Sequence, residues 1–247
     1  MTDNLPTNWK DQMAAEAKAL ARSFRPTTTQ LSTKSGIMSY MGQPIKDNKL
    51  DVIILATIHE NNYFEGKFDP RNPRNPICFS FGKPESDGSK PPMVPPIEVV
   101  APNRQADRCD NCDWSKWNSD PESVSGKGKR CKELYKLGLI PVSSDTDEMA
   151  ILRIPVTSRK NYEVYVNTLS AATARPPWGV VTTVSVVPHM KNQFEVKFAI
   201  KEVLPEEALG KIWPKIEGAF EALMQPYDPN QNPLETKAPV EGKKRKF

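Results

Sequence analysis

The sequence predicts an α+β protein, an OB-like antiparallel β-barrel with a long zinc-ribbon-like insertion and flanking helices. Three observations predict it. Apolar and alternating runs of strand length recur along the 247 residues, several of them joined by turn-like residues. A proline-rich excursion at about 69–132 interrupts them and holds all four cysteines. One segment of helical period sits between the later strands, a place where an OB-like barrel tolerates a helix.

The elements follow in order. Met13, Ala17, Leu20 and Phe24 recur at helical steps and predict a helix over 8–24, ended at Arg25-Pro26 because the residue before a proline is pushed out of helical geometry. Ser32 to Gln43 reads as an irregular lead-in or a short strand. Leu50 to Ile58 is apolar on both faces, which predicts a central strand. Asn61-Asn62 predicts a turn, and Tyr63 to Phe68 a returning strand. Lys132 to Ile140 and Met149 to Val156 predict two more strands. Ser158 is placed to cap a helix whose Tyr162, Tyr165, Val166 and Leu169 share one stripe. Gly179 to Val187 and Phe194 to Lys201 alternate with period two around Pro188-His189-Met190-Lys191-Asn192, a hairpin with one wet face. Leu209, Ile212, Ile216, Phe220 and Leu223 form a last helical stripe, kinked at Pro214. The chain divides into an N-terminal helix and arm (1–35), a core with its insertion (36–225) and a disordered basic tail (226–247), since nothing past Gln225 offers apolar area to bury.

Composition narrows the function. A net charge of +4 excludes a histone-like polycation, so what matters is how charge is arranged. No apolar run is long enough to span a bilayer, and Met1-Thr2-Asp3-Asn4 does not resemble a secretory signal. There is no Gly-x-Ser-x-Gly elbow, no His-Glu-x-x-His, no acidic cluster suited to magnesium, and only His59 and His189 to partner a nucleophile. Gly126-Lys127-Gly128-Lys129 lacks the spacing of a phosphate loop. These absences predict a protein that is not an enzyme.

Cys109-Asp110-Asn111-Cys112 is a knuckle whose two thiolates can face one tetrahedral ion, and Cys131 lies on a limb that returns to it. Cys78 would complete a four-thiolate set. Two disulfides, or buried free thiols, are the competing readings. A four-sulfur zinc has no open position, so it would act as a structural staple for an insertion with too few aliphatic residues to hold itself together.

Rings and cations crowd the same limbs. Tyr63, Phe64, Phe79, Trp114 and Trp117 flank the knuckle or the strand leading to it, with Lys116, Lys127, Lys129, Arg130 and Lys132 beside them. Planar side chains stack on unpaired bases while neighbouring cations track the phosphates, a combination that suits single-stranded DNA with little sequence preference. The plainer readings are that Trp114 packs beneath the knuckle, that only one of Tyr63 and Phe64 can face a ligand, and that lysines in a glycine-rich loop are merely solvated. Lys243 to Lys246 could add an electrostatic contact.

The order Tyr63-Phe64-Glu65-Gly66-Lys67-Phe68-Asp69-Pro70, Pro76-Ile77-Cys78-Phe79-Ser80, Cys109 to Trp117 and Gly126 to Lys132 resembles tailed-bacteriophage zinc-containing single-stranded-DNA-binding proteins, more loosely as far as Phe198. The resemblance implies that Cys78 joins Cys109, Cys112 and Cys131 as zinc ligands. It also implies a role in phage DNA replication or recombination in the cytoplasm of an infected bacterium, beside replication or recombination proteins; a homo-oligomer is compatible with it, and the lack of a spanning apolar run predicts no membrane partner. The end of the chain departs from the pattern, being Lys-Lys-Arg-Lys-Phe where strand-coating proteins commonly end in acids. The alternative is a zinc-ribbon interaction module that docks on a host or phage polymerase or nuclease.

Overall fold

The computed structural model describes residues 12–13, 30–64, 75–96, 104–123, 126–144 and 148–227. The helix expected over 8–24, the strand residues 65–68 and the basic run 243–246 therefore lie outside the described residues, apart from Gln12 and Met13.

The organising element is β4 (Lys49–Tyr63), a 15-residue strand. It pairs along most of its length with β6 (Lys132–Pro141). On its other edge it carries first β8 (Val180–His189) and then β5 (Cys78–Gly82). Among the described residues nine strands form one curled, half-barrel sheet in the order β3-β2-β1-β7-β6-β4-β8-β9, with β5 branching from β4. The remaining strands are β1 (Gln30–Ser32), β2 (Ser39–Tyr40), β3 (Gln43–Pro44), β7 (Ala150–Ile154) and β9 (Gln193–Val203). All pairs are antiparallel except β1 with β7.

The turn expected at Asn61-Asn62 is not formed. Both asparagines are buried in β4, where Asn61 faces Glu133 and Ser80 and Asn62 faces Lys132 and Phe79. Two flanking strands saturate the backbone there, which overrides the local turn preference of asparagine. Likewise β5 belongs to the main sheet, so the excursion proper begins at Lys83, after the strand.

A register shift between Ile54 and Ala56 leaves Leu55 as an extra residue and exchanges the faces of β4. Before it, Val52 and Ile54 enter a core with Leu137, Leu139, Leu152 and helix α1 (Arg159–Thr173), whose Tyr162, Tyr165 and Leu169 are buried. After it, Thr57 faces that helix, its Oγ1 2.6 Å from Tyr162 Oη, while Ala56 and Ile58 enter a second core. That core lies under α2 (Glu206–Ile212) and α3 (Ile216–Met224), which are separated by a 3-10 turn at Trp213-Pro214-Lys215 as Pro214 requires. Ser158 does not cap α1 with its side chain. Its buried Oγ instead accepts the Val196 N–H at 2.9 Å, tying the helix start to β9. The helix ends at Ala174 in a left-handed conformation, just before Pro176.

Gly82 shows how the proline-rich limb meets the sheet. A Cβ there would stand 2.4 Å from Pro91 Cγ and 2.6 Å from Met93 Sδ, so the limb's approach requires a residue without a side chain. No helix among the described residues is long and apolar enough to cross a membrane.

Candidate nucleic-acid interface

Hydrogen bonds, rather than regular structure, build the cysteine arm. The Cys109 N–H donates to Met93 O at 3.0 Å, fixing the knuckle to the proline-rich limb, and the Cys131 N–H donates to Trp114 O at 2.9 Å, fixing the returning limb to the knuckle. Within the knuckle two single 3-10 turns, Cys109–Asn111 and Asp113–Ser115, stack end to end. Cys78 comes from β5 opposite Tyr63, and Ser80, two residues on and so on the same face of the strand, places its Oγ 3.1 Å from Cys109 Sγ.

None of the four cysteines is in a disulfide; Cys78, Cys109 and Cys112 are buried and Cys131 is half-buried. All four line one small cavity of about 10 Å³, together with Tyr63, Trp114 and Ser115. Burial pushes the Cys131 thiol up to about 12, and the sulfurs of Cys109, Cys78 and Cys112 raise it further. Burial also raises Cys78. Ser115 Oγ, beside Cys131, is buried without an oxygen or nitrogen partner. Among the described residues no group of three or more His, Cys, Asp or Glu side chains is already arranged to hold a metal ion.

The candidate rings separate by face. Tyr63 is only 3% exposed, with Trp114 against it edge-on at 4.1 Å and the Arg130 guanidinium 5.4 Å from its centroid. Phe79 is 2% exposed and lies on the opposite face of the sheet, toward Phe81 and Tyr227. Neither offers a free face while Trp114 covers Tyr63 and Tyr227 covers Phe79, so neither joins the exposed stacking surface expected of them. Apolar burial won at both positions because β4 is paired on both edges at this level. Trp114 is half-buried under Arg130, 4.5 Å away. Phe64 and Trp117 remain exposed. Trp117 is 69% accessible, with Lys129 Nζ 5.0 Å above its ring.

The cations are less free than their spacing suggests. Lys116 pairs with Asp113 at 2.6 Å and Lys132 with Asp120 at 2.8 Å, and Lys127, in the glycine-rich loop, is solvent-exposed but not without a partner. Lys129 pairs with Glu133 at 3.4 Å, a carboxylate that also receives Lys90 at 2.6 Å and Arg159 at 3.3 Å. Glu133 thus joins the proline-rich limb, the glycine-rich loop and α1 at one point. Burial opposes its charge, yet the Lys90 hydrogen bond and the charges of Lys90, Arg159 and Lys129 hold the carboxyl at about 2. An open pocket of about 190 Å³ lies beside this hub, lined by Lys90, Lys116 and Lys129 along with Asn61, Asp110 and Cys131. Glu133 and Asp110 also line the pocket, so its three lysines meet a phosphate only in exchange for carboxylate partners within the chain.

A second polar cluster occupies the other face of the sheet, beyond the α3 core. The buried Glu60 carboxylate accepts from Arg153 Nε at 3.3 Å and from the Tyr227 hydroxyl. The buried Lys136 Nζ donates to Leu223 O at 2.6 Å, the carbonyl near the end of α3. Burial lowers Lys136 to about 8. Sequence reasoning missed this cluster, since Glu60 and Arg153 are 93 residues apart and Tyr227 stands where the chain had been expected to bury nothing. The one available signal was a charge inside an apolar run, at Lys136 and at Arg153. Comparison with protein-family models, curated proteins and solved structures gives no match to this chain.

Proposed function

We propose that the chain is a non-enzymatic, OB-like protein that binds single-stranded nucleic acid, DNA in the first instance, through an arm pinned by one structural zinc. The observation that carries the reading is the exposed Trp117 ring with Lys129 above it, beside a pocket faced by Lys90, Lys116 and Lys129. An unpaired base stacks on such a ring while its phosphates meet the cations, and every base has a face to stack. Trp117, Phe64, Lys116, Lys127 and Lys129 form the contact set. Arg130 and Lys132 support it from within the arm, where they hold Trp114 and Asp120.

The sulfur set fits zinc in kind and number, because four undisulfided cysteines share one cavity in a segment with little apolar core. Cys78, Cys109, Cys112 and Cys131 would hold the ion, which supplies folding energy and no chemistry of its own when bound. The setting proposed from the sequence is phage DNA replication or recombination in an infected bacterium.

Titration of a fluorescent oligonucleotide at several salt concentrations tests the reading. Single strands should bind better than duplex, with affinity falling at a slope of about −0.7 per phosphate neutralised. Equal binding to duplex, or affinity indifferent to salt, would overturn it. The internal pairing of Lys116, Lys129 and Lys132 favours a second reading, in which Trp117 anchors a protein partner such as a polymerase or nuclease. In that case Trp117→Ala weakens a protein complex and leaves oligonucleotide binding intact.

A further inference from the structure

The slot on the second face of the sheet carries an inference that rests on the nucleic-acid reading and goes beyond it. We propose that Phe79, Phe81, Glu60 and Arg153 form a binding site for one unpaired base bearing an exocyclic amino group, and that Tyr227 fills this site from within the chain. The Tyr227 ring meets Phe79 edge-on at 4.8 Å and Phe81 at 5.7 Å, and the Arg153 guanidinium is 5.4 Å from its centroid. Its hydroxyl donates to Glu60. A flat ring with a hydrogen-bond donor on its rim is the shape and chemistry so enclosed.

A plain anchor for the chain end would not need these groups. Helix α3 is already fixed by the buried Leu223 and Ala219 and by the Lys136 bond to Leu223 O. Against Tyr227 lie one carboxylate and one cation, Glu60 and Arg153, while the buried Lys136 stands 4.5 Å from the Phe81 centroid and is held by Leu223 O. Arg153 keeps 31% of its side chain accessible, so it reaches from the slot to solvent. Asn62, whose Nδ2 bonds Glu60, leaves its Oδ1 buried with no partner, a second acceptor beside the carboxylate.

The acceptors set the preference. Glu60 accepts from an amino group such as cytosine N4. Thymine has no such group, and its one ring N–H is flanked by carbonyl oxygens that would face the carboxylate. Tyr227 lies three residues past the end of α3 and belongs to no strand, so its release leaves the sheet in place. While Tyr227 occupies the slot, apparent affinity is reduced by the fraction of molecules in which it is open.

The test compares the full-length chain with Tyr227→Ala and Tyr227→Phe by anisotropy, using oligo-dC and oligo-dT of equal length, with thermal melts alongside. Tyr227→Ala is expected to bind oligo-dC about ten-fold more tightly and oligo-dT less than about three-fold more tightly. Tyr227→Phe keeps the ring in place and should gain less than Tyr227→Ala. If Tyr227→Ala binds both oligonucleotides as the unmodified chain does, the slot is refuted and the proposed function stands. If no form binds either oligonucleotide, both fall. Loss of cooperative melting in Tyr227→Ala would mark Tyr227 as a core anchor and also overturn the site.

Discussion

Replacing Glu133 with glutamine keeps the shape of the hub and removes its charge. Lys90, Lys129 and Arg159 then lose their common partner. The carboxyl stands at about 2 against an ordinary 4.5, which at face value corresponds to about 3 kcal/mol at about 1.4 kcal/mol per pH unit. The three cations keep 38%, 25% and 22% of their side chains accessible, so solvent screening reduces the expectation to about 1–2 kcal/mol. Because the folded state lowers this carboxyl, its contribution is complete above about pH 4.5 and is lost as pH falls toward about 2. Urea unfolding of both proteins from pH 7 down to pH 3 is the assay. Glu133→Gln should be less stable by about 1–2 kcal/mol at pH 7, with the gap closing below about pH 4.5. The released lysines should also tighten oligonucleotide binding and steepen its salt dependence. Equal stability at pH 7, or a gap unchanged down to pH 3, would refute the hub.

Two other perturbations separate surface from core. Trp117→Ala should leave the melting temperature unchanged, since the ring is 69% accessible, and should weaken single-strand binding about ten-fold by anisotropy. Lys136 is lowered to about 8 by burial, so between about pH 8 and 10.5 the unfolded chain holds a proton that the folded chain has lost, and this one group's contribution to stability rises with pH. Burial raises the Cys131 and Cys78 thiols and works the other way in both proteins, so the readout is the difference: as pH rises across that range, the urea midpoint of the unmodified protein should gain on that of Lys136→Met, and a constant difference would count against the buried charge.

Much of the scaffold was legible because periodicity reports burial directly. The alternation of Val180 to Val203 gives the β8–β9 hairpin, and the spacing of Tyr162, Tyr165 and Leu169 gives the buried stripe of α1. Cys109 and Cys112, marked by their spacing, line one cavity with Cys78 and Cys131. What local pattern could not give was pairing. Asn61 and Asn62 read as a turn because their strand partners, Ser80 and Phe79 on one side and Glu133 and Lys132 on the other, are distant in sequence. The extra residue at Leu55 reverses which side chains of β4 face α1, so Tyr63 and Phe79 could not be assigned to faces beforehand. The Glu133 hub and the Glu60 slot arise from side chains contributed by elements far apart, and no window of sequence contains either.

The pinned arm is tested most directly by elemental analysis of the purified chain together with oligonucleotide binding during removal of the metal by a chelator. The expected result is about one zinc per chain, absent or weakly held in Cys78→Ser, with single-strand binding lost as the ion is withdrawn. A chain that carries no zinc, or that binds single strands equally well after the metal has been stripped, would contradict the account.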